Sequence, residues 1–503
     1  MLRIIIWREF LANILTLRFL LGLIICTGLV CLNTWVLVRS YTHRLDDYRR
    51  AVDANTNEVR NIQTYSQISY RHSPSAEKKP PLLSILNEGL GGRLGNSVKV
   101  SHVVVPVKTT QHGSDNPYLV VFPRTDLTLV FQIVISLLAF LFSYDAIAGE
   151  RQSGTLALVL SNPIPRGKLL FGKYLGGILS LTIPLVFSLL VAMLFVFLSP
   201  YVVISVSDWG RIGIFCLVSL IYMSVFFTLG MLFSTWVGRT TTALILTMFF
   251  WVLFVLIFPR ASAFAVSKLL PIKSDAHVSN EGYIHLLSSK RGDPSLHRLH
   301  ELWENFMREL EDFKKKRDFE LSFNGFTGSW TLICHQYIGS FAGPPDQLPT
   351  FHNFLQFQEE LNIQYADDVG RLRKEYLIQN PIRQAKLTQQ ISSFSPAAVY
   401  WHATAILAGT DLDSHLRFLD EARQYRRELI RYLRDQNAFA SEAWYNPEAF
   451  TKMGTYDIPL FREDPESLSA ILSRMSLNVG VLILLNMVFF LLTYLLFLRS
   501  DVS

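Results

Sequence analysis

The chain has 503 residues, of which 50% are hydrophobic and only 17% are charged. A soluble protein of this size usually carries nearer a quarter charged residues, so the composition excludes an ordinary soluble globular protein. The formal net charge is +6. Because the basic residues lie beside long apolar stretches, we interpret this charge as a sign of membrane topology and expect no nucleic-acid site.

The apolar residues are concentrated in stretches long enough to cross a bilayer, which requires about 20 mostly apolar residues. Six stretches qualify: 19–38, 127–147, 175–198, 212–234, 241–258 and 477–498. The first is predicted to be a span rather than a cleavable signal, because no A-x-A-like site follows it and Arg39 and Arg44 come next. The predicted fold is an α-helical polytopic membrane protein with six transmembrane helices.

The short segments between spans differ in charge, which predicts the orientation of the chain. Segment 199–210 has no Lys or Arg. Segment 148–174 carries four basic residues against one acid, Glu150: Arg151, Arg166, Lys168 and Lys173. We therefore predict that both termini and segment 148–174 are cytoplasmic, and that segments 39–126 and 259–476 are extracytoplasmic.

The residues before the first span show a helical period. One stripe is apolar and the other polar: Trp7, Phe10, Leu11, Ile14 and Leu17 against Glu9, Asn13 and Thr16. This pattern predicts an amphipathic helix over 1–18 that lies at the cytoplasmic membrane surface. The alternative is a simple extension of the first span.

The two extracytoplasmic segments together contain about 300 residues, enough to bury a core. We predict that 39–63 continues the first helix, that Ser73–Pro81 is a loop and that Val98–Val107 is a strand. Periodic apolar residues predict helices over 297–322 and 414–435. The extracytoplasmic domain is thus expected to be mainly helical, of α+β type.

A possible phosphate-binding motif, G-x-x-x-x-G-K, occurs at Gly167–Lys173. Such a loop follows a buried strand and needs a Ser or Thr after the Lys to hold Mg²⁺, but Tyr174 stands there. Leu169, Leu170 and Phe171 are also too bulky for backbone amides to surround a phosphate. We predict that this segment binds no ATP and that the chain has no ATPase activity or cofactor of its own.

The same region contains a short apolar segment, Ser153–Leu160, with Leu156, Val159 and Leu160 on one side. Gly149-Glu150-Arg151 precedes it and Asn162-Pro163 ends it. This arrangement predicts a short surface helix parallel to the membrane, whose exposed apolar face implies a protein partner.

The stretch YDAIAGERQSGTLALVLSNPIPRGKLLFGKYLGG resembles the signature of ABC-2-type permeases, especially those similar to the permease of nitrous-oxide-reductase maturation. The family pattern is GE-x-x-x-GTL-x-L-x-L-S-x-P-x-x-R followed by GKY. Its fixed positions are matched here by Gly149, Glu150, Gly154, Thr155, Leu156, Leu158, Leu160, Ser161, Pro163, Arg166, Gly172 and Lys173. The three residues after Glu150, which include Arg151, are not fixed by the pattern.

The resemblance implies that this loop is a coupling helix, which fits a groove on a separate cytoplasmic ATPase subunit. It implies that ATP and Mg are bound by that partner and that two permease copies, identical or close paralogues, are present. Glu150 and Arg151 would contact the ATPase or brace the loop against the inner helix ends. From charge alone, the two side chains could instead pair with each other.

The exported segments resemble a sub-branch of that family with a large extracytoplasmic domain of uncharacterised role. The resemblance rests on Pro80–Gly95, Ser395–Asp411 and His415–Leu429. The resemblance implies the general shape of the extracytoplasmic domain but no binding or catalytic activity.

Other candidate sites are weak. The span interiors carry no ionisable group, only neutral polar residues such as Asn486 and Gln132, which we expect to hold helices together; ion-coupled transport is therefore disfavoured. His297–Glu301 has the wrong order for a metalloprotease helix. Cys334-His335 lacks further ligands for a zinc ion. We predict no metal site and no catalytic residue.

These observations favour an export-type permease subunit in a bacterial cytoplasmic membrane. It would move a lipid or hydrophobic cargo, or perform mechanical work on an extracytoplasmic protein partner. The alternative is a membrane-anchored extracytoplasmic binding or signalling module without transport.

Overall fold

The computed structural model is mostly helical over the part of the chain that it describes. The structure describes residues 2–70, 72–110, 126–161, 164–200, 202, 204–271, 308, 312, 315, 348–374, 379–452 and 457–499. The helices of its first half are α1 Leu2–Ile14, α2 Leu17–Arg60, α3 Tyr65–Tyr70, α4 Leu127–Ser143, α5 Ala148–Gln152, α6 Thr155–Leu160, α7 Arg166–Phe197 and α8 Val206–Trp236. Those that follow are α9 Thr240–Trp251, α10 Phe258–Leu269, α11 Leu348–Lys374, α12 Asn380–Ser392, α13 Pro396–Ala408, α14 Leu412–Asp435, α15 Pro447–Lys452 and α16 Leu468–Arg499.

Six helical stretches of the described chain are long and apolar enough to span a membrane, which confirms the predicted fold class. They are α2, Leu127–Gln152, α7, α8, Thr240–Leu269 and α16, and the six predicted spans fall on them. In Thr240–Leu269, the π-helical turn Val252–Ile257 joins α9 to α10. We call the end of this bundle that carries α5 and α6 the inner end, and the opposite end the outer end.

The N-terminal helix is separate from the first span. α1 ends at Ile14, and the Thr16 hydroxyl accepts a hydrogen bond from the Phe19 amide (3.3 Å) as the cap of α2. The alternative that residues 2–18 simply extend the first span is therefore wrong. The predicted division into stripes also needs correction, because Glu9 of the polar stripe faces α7.

Two glycines of α7 allow α1 to lie directly on it. A Cβ atom at Gly172 would come within 2.6 Å of the Ile5 side chain, and one at Gly176 within 2.7 Å of Glu9 Cβ. Small residues four apart let two helix backbones approach closely in a membrane. This pairing of α1 with α7 determines which face of α1 is covered.

The bundle is centred on α8, which packs against α4, α13 and α16. Asn486 Nδ2 of α16 donates to Ser224 Oγ of α8 (2.7 Å), and that hydroxyl bonds with the Tyr174 hydroxyl of α7 (2.6 Å). Asn486 therefore joins helices, as expected from its sequence position. Gln132 acts through its backbone, since its carbonyl accepts a bond from the Tyr222 hydroxyl (2.8 Å).

The segment between the fifth and sixth spans, predicted to be extracytoplasmic, is not separate from the bundle, because its helix α13 inserts among α4, α8 and α16. Tyr400 is fully buried there: its ring stacks on Tyr222 at 4.4 Å, and its hydroxyl bonds with Ser219 Oγ at 2.8 Å. Ser219 lies well within the predicted span 212–234. Ser395 caps the start of α13 and also donates to the Phe254 carbonyl (2.5 Å) in the π-helical turn.

The small sheet outside the bundle corrects two predictions. β1 (Ser75–Glu77) pairs antiparallel with β2 (Ser97–Lys99), so the predicted loop Ser73–Pro81 contains a strand and the strand predicted over Val98–Val107 is far shorter. Beyond Lys99, the backbone carbonyls bond with arginines of α14 rather than with a neighbouring strand. Arg426 donates to Ser101 O, and Arg423 donates to Pro106 O.

The prediction of a helix over 414–435 is confirmed by α14, whose apolar face is buried at Leu419, Leu429 and Leu433. The predicted helix 297–322 lies outside the described residues except at positions 308, 312 and 315.

The insertion of α13 generates a stability prediction. We expect Tyr400→Ala to lower the free energy of unfolding by about 3 kcal/mol, because it removes a fully buried ring and leaves a cavity. Tyr400→Phe keeps the ring and loses only the bond to Ser219, so its cost should be about 1 kcal/mol or less. Denaturant unfolding in detergent micelles would measure both, and equal losses would contradict the packing role of the ring.

Candidate coupling segment

The predicted surface helix, Ser153–Leu160, corresponds to α6, which follows the short helix α5 and is joined to it at Ser153 and Gly154. We call residues 148–161 the coupling segment. Gly154 has φ of 74°, in the left-handed region where glycine meets no steric penalty. The predicted start of the helix at Ser153 is therefore two residues early, since α6 begins at Thr155. Pro163, the predicted stop, lies outside the described residues.

The predicted apolar face of the coupling segment, Leu156, Val159 and Leu160, is turned toward the bundle and is not the exposed face. Leu156 is buried against the bundle core, with 1% of its surface exposed, whereas Leu158 is 74% exposed. Val159 and Leu160 are half-buried. Leu156 therefore points inward, whereas Leu158 is the exposed leucine of this segment.

The underside of the coupling segment rests on a buried cation, Lys173 of α7, which is 4% exposed. Its ammonium group donates to Glu150 Oε1 at 2.7 Å and to Glu9 Oε2 at 3.3 Å. Both carboxylates are partly exposed. One buried charge thus connects α1, α5 and α7, and its two counter-charges offset the cost of burying it.

Arg151 braces the segment against α8. One guanidinium nitrogen donates to Thr235 O at 3.4 Å, while Nε and the other terminal nitrogen are buried and bond to no described residue. Among the described residues, Glu150 pairs with Lys173 and not with Arg151, so the alternative that Glu150 and Arg151 pair with each other is wrong. Both side chains bond to the inner ends of neighbouring helices, Glu150 to α7 and Arg151 to α8. Contact of either side chain with an ATPase stays a prediction.

Further hydrogen bonds connect the coupling segment to the neighbouring helices. Ser234 Oγ of α8 accepts bonds from the amides of Ile147 (3.0 Å) and Ala148 (2.9 Å). Gln152 Oε1 accepts from the Thr240 hydroxyl at the start of α9 (2.9 Å). The segment is therefore bonded to the inner ends of both α8 and α9.

The remaining signature residues have local or bracing roles. Arg166, at the start of α7, donates to the carbonyls of Phe497 (3.3 Å) and Leu498 (2.9 Å) in the last turn of α16. The Thr155 hydroxyl donates to Glu150 O (3.3 Å), and the Ser161 hydroxyl donates to Leu158 O (2.8 Å). A Cβ atom at Gly149 would lie in ordinary van der Waals contact with Asp145 and Thr240.

The motif Gly167–Lys173 has no phosphate-binding geometry. Its residues form the first two turns of α7, where the amides of Lys168 and Leu169 bond back to Pro165 O. Lys173 is held by two carboxylates. Where the structure describes the chain, no group of three His, Cys, Asp or Glu side chains could hold a metal ion. His297–Glu301 and Cys334-His335 lie outside that part.

Sequence reasoning missed three contributors to this site: Glu9, Ser234 and the ion pair between Arg18 of α2 and Asp145 (2.7 Å). Glu9 did carry a signal, because an acid beside an apolar stripe at the membrane surface needs a partner or water. Ser234 carried none.

Taken together, the fold and site define a polytopic membrane protein with a short helical segment braced against one end of its bundle. The model of the ABC-2 family transporter protein family matches residues 3–502, and the chain belongs to that family. It is similar to a probable ABC transporter permease protein NosY of Pseudomonas aeruginosa, with 35% identity over 136 residues, covering 27% of this chain and 49% of the relative.

A second similar relative is the probable ABC transporter permease protein NosY of Stutzerimonas stutzeri. It is 35% identical over 127 residues, covering 25% of this chain and 45% of the relative. The chain spans about half the length of the curated relatives it matches.

The charge cluster generates a test of its energetics. We expect Glu9→Gln with Glu150→Gln to lower the free energy of unfolding by about 3 kcal/mol or more, because Lys173 is left buried without a counter-charge. Lys173→Met should cost less, about 1 kcal/mol, because it leaves two carboxylates that water can reach.

Lys168→Met, at an exposed lysine one turn earlier in the same helix, is the matched control and should change stability by less than about 0.5 kcal/mol. Denaturant titration of the purified chain measures all three variants. A larger loss for Lys173→Met than for the double carboxylate variant would contradict the assignment of Lys173 as the buried charge.

Proposed function

We propose that this chain is the permease subunit of an export-type ABC transporter, powered by ATP hydrolysis in a separate cytoplasmic ATPase subunit. Membership of the ABC-2 family and the similarity to two probable ABC transporter permeases support this proposal. The chain itself is non-catalytic, and ATP and Mg are bound by the partner.

The observation that carries the proposal is the construction of the coupling segment. Its outward side presents Leu158, while its inward side is bonded to Lys173, to Ser234 and to Thr235. A force applied from outside the bundle would therefore reach α7 and α8 directly, without first deforming a flexible loop. An ATPase that closes on ATP would apply such a force, and because ATPases of this kind close as pairs, we propose two permease copies.

We further propose that the chain lies in a bacterial cytoplasmic membrane with both termini and the coupling segment in the cytoplasm. The basic residues of 148–174 support this orientation. Segments 39–126 and 259–476 would then form an extracytoplasmic domain.

Two uses of the transmitted force fit the fold: movement of a lipid or hydrophobic cargo, and mechanical work on the extracytoplasmic side. The insertion of α13 beside α8 favours mechanical work as a second candidate function. Tyr400 contacts both Ser219 and Tyr222, so a displacement of α8 would be passed to the exported segment.

Docking can be tested with Leu158→Asp. We expect this change to abolish co-purification with the ABC ATPase co-expressed from a neighbouring reading frame, because it places a charge at the apolar contact. Yield and thermal stability in detergent should stay unchanged, because Leu158 is exposed. Val206→Asp, the same kind of change at an exposed residue of the outer end, should leave co-purification intact.

Leu156→Asp distinguishes the two faces of the segment. Because Leu156 is buried, we expect this variant to be less stable than the unmodified chain and also to lose co-purification with the ATPase. Undiminished co-purification of Leu158→Asp with the ATPase would refute the docking assignment. ATP hydrolysis by the purified chain alone would refute the proposal that only the partner subunit hydrolyses ATP.

Orientation can be tested with two engineered cysteines after Cys334→Ser removes the native exported thiol. Asp413→Cys on α14 and Ser153→Cys in the coupling segment both replace exposed residues. We expect a membrane-impermeant maleimide to label the first in intact cells and the second only after lysis. The reverse pattern would overturn the proposed topology.

A further inference from the structure

A cavity of about 370 Å³ lies at the outer end of the bundle. Its walls come from α2, from the stretch after β1, from the glycine-rich turn 91–96 and from the start of α14. The residues on which the inference rests are Ser40, Arg44, Lys78, Lys79, Asp411 and His415. The volume falls within the usual range for small-molecule sites, about 300–1,000 Å³.

The position of the cavity along the bundle follows from two spans independently. Ser40 lies on α2 just beyond the first predicted span, 19–38. Asp411 is bonded at 2.8 Å to Arg474, which precedes the last predicted span, 477–498, on α16. Both place the cavity at the level of the lipid headgroups at the outer end, open to groups carried at the membrane surface.

The acidic residues that line the cavity are already paired with arginines. Asp411 bonds to Arg474, and Asp47 bonds to Arg50 at 2.7 Å. Arg44 is paired in turn with Glu88 at 3.6 Å. These pairs largely cancel, so the net positive character of the wall comes from the two consecutive lysines, Lys78 and Lys79.

Lys78 is the less solvated of the two lysines. Its ammonium group donates to Ser414 O over a long 3.5 Å contact, and burial lowers its pKa even though Glu463 and Asp411 oppose that shift. Burial, together with the charge of Lys78, also lowers the pKa of His415 to about 4. At neutral pH His415 is therefore a neutral hydrogen-bonding group and adds no charge to the cavity wall.

We propose that this cavity binds a phosphate group, carried either on the headgroup of a membrane phospholipid or on a soluble phosphate ester, with Lys78 as its principal charged contact. A phosphate would give the Lys78 ammonium group acceptor oxygens besides its single long bond to Ser414 O, and Lys79 and Arg44 line the same space. The inference rests on the cavity alone and is independent of the proposed transport function.

The test uses the purified full-length chain in a neutral maltoside detergent and isothermal titration calorimetry. The probes are dihexanoyl-phosphatidylglycerol, glycerol 3-phosphate and, as the phosphate-free control, dihexanoylglycerol. We expect at least one phosphate probe to bind and the control to produce no binding heat. Lys78→Gln should weaken that binding at least about tenfold, as expected for loss of a charged hydrogen bond.

Two further variants separate the cavity from general surface charge. Lys99→Gln removes an exposed lysine of β2 that does not line this cavity, and it should leave affinity unchanged. Ser40→Trp should fill the cavity and abolish binding while every charged residue is kept. Circular dichroism of each variant verifies that it is folded.

The two probes distinguish the sources of the phosphate. Binding of phosphatidylglycerol alone supports the proposal with the membrane as source, and binding of glycerol 3-phosphate alone supports it with a soluble ester as source. The proposal is overturned if neither phosphate probe binds, if dihexanoylglycerol binds as tightly, or if Lys78→Gln binds like the parent chain.

Discussion

The inner end of this protein is organised by one buried charge. Lys173 lies in the second turn of α7, almost inaccessible to water, and its ammonium group is shared by Glu150 of the coupling segment and Glu9 of the N-terminal helix. A buried cation without such partners would be strongly destabilising. The positions of α1 and α5 on α7 are therefore mutually dependent, and Gly172 and Gly176 supply the space that this arrangement needs.

The same helix bundle connects this inner cluster to the outer end through α8. At its inner end, Ser234 and Thr235 accept bonds from the coupling segment. Midway along it, Ser219 and Tyr222 contact Tyr400 of α13. Among the six described spans, α8 is also the most enclosed, because 67% of its most apolar 18-residue stretch is buried. A close-packed helix fixed at both contacts transmits displacement with little loss, so the two ends are connected by a single rigid element.

The sequence was informative wherever a property depended on local composition. The six spans follow from runs of apolar residues, and α14 follows from the spacing of Leu419, Leu429 and Leu433. It was less informative where a property depended on distant partners. Leu156 and Leu158 have the same side chain, and only the turn at Gly154 and the surrounding helices determine which one is buried. Likewise, nothing near Val100 in the sequence indicates that Arg426 will bond to the carbonyls of the following residues.

The uneven burial of the spans limits how two copies could associate. In Thr240–Leu269 and in α16, only 17% of the most apolar 18-residue stretch is buried. Large apolar side chains are exposed on both, such as Ile245, Phe249 and Leu484. Lipid tails are as apolar as leucine, so such faces gain little by leaving lipid for a second copy. In the proposed dimer, the driving force for association would therefore come from outside the hydrocarbon layer. In that assembly, the proposed ATPase pair at the coupling segments and the proposed extracytoplasmic segments at the outer end would be the two sets of contacts that provide it.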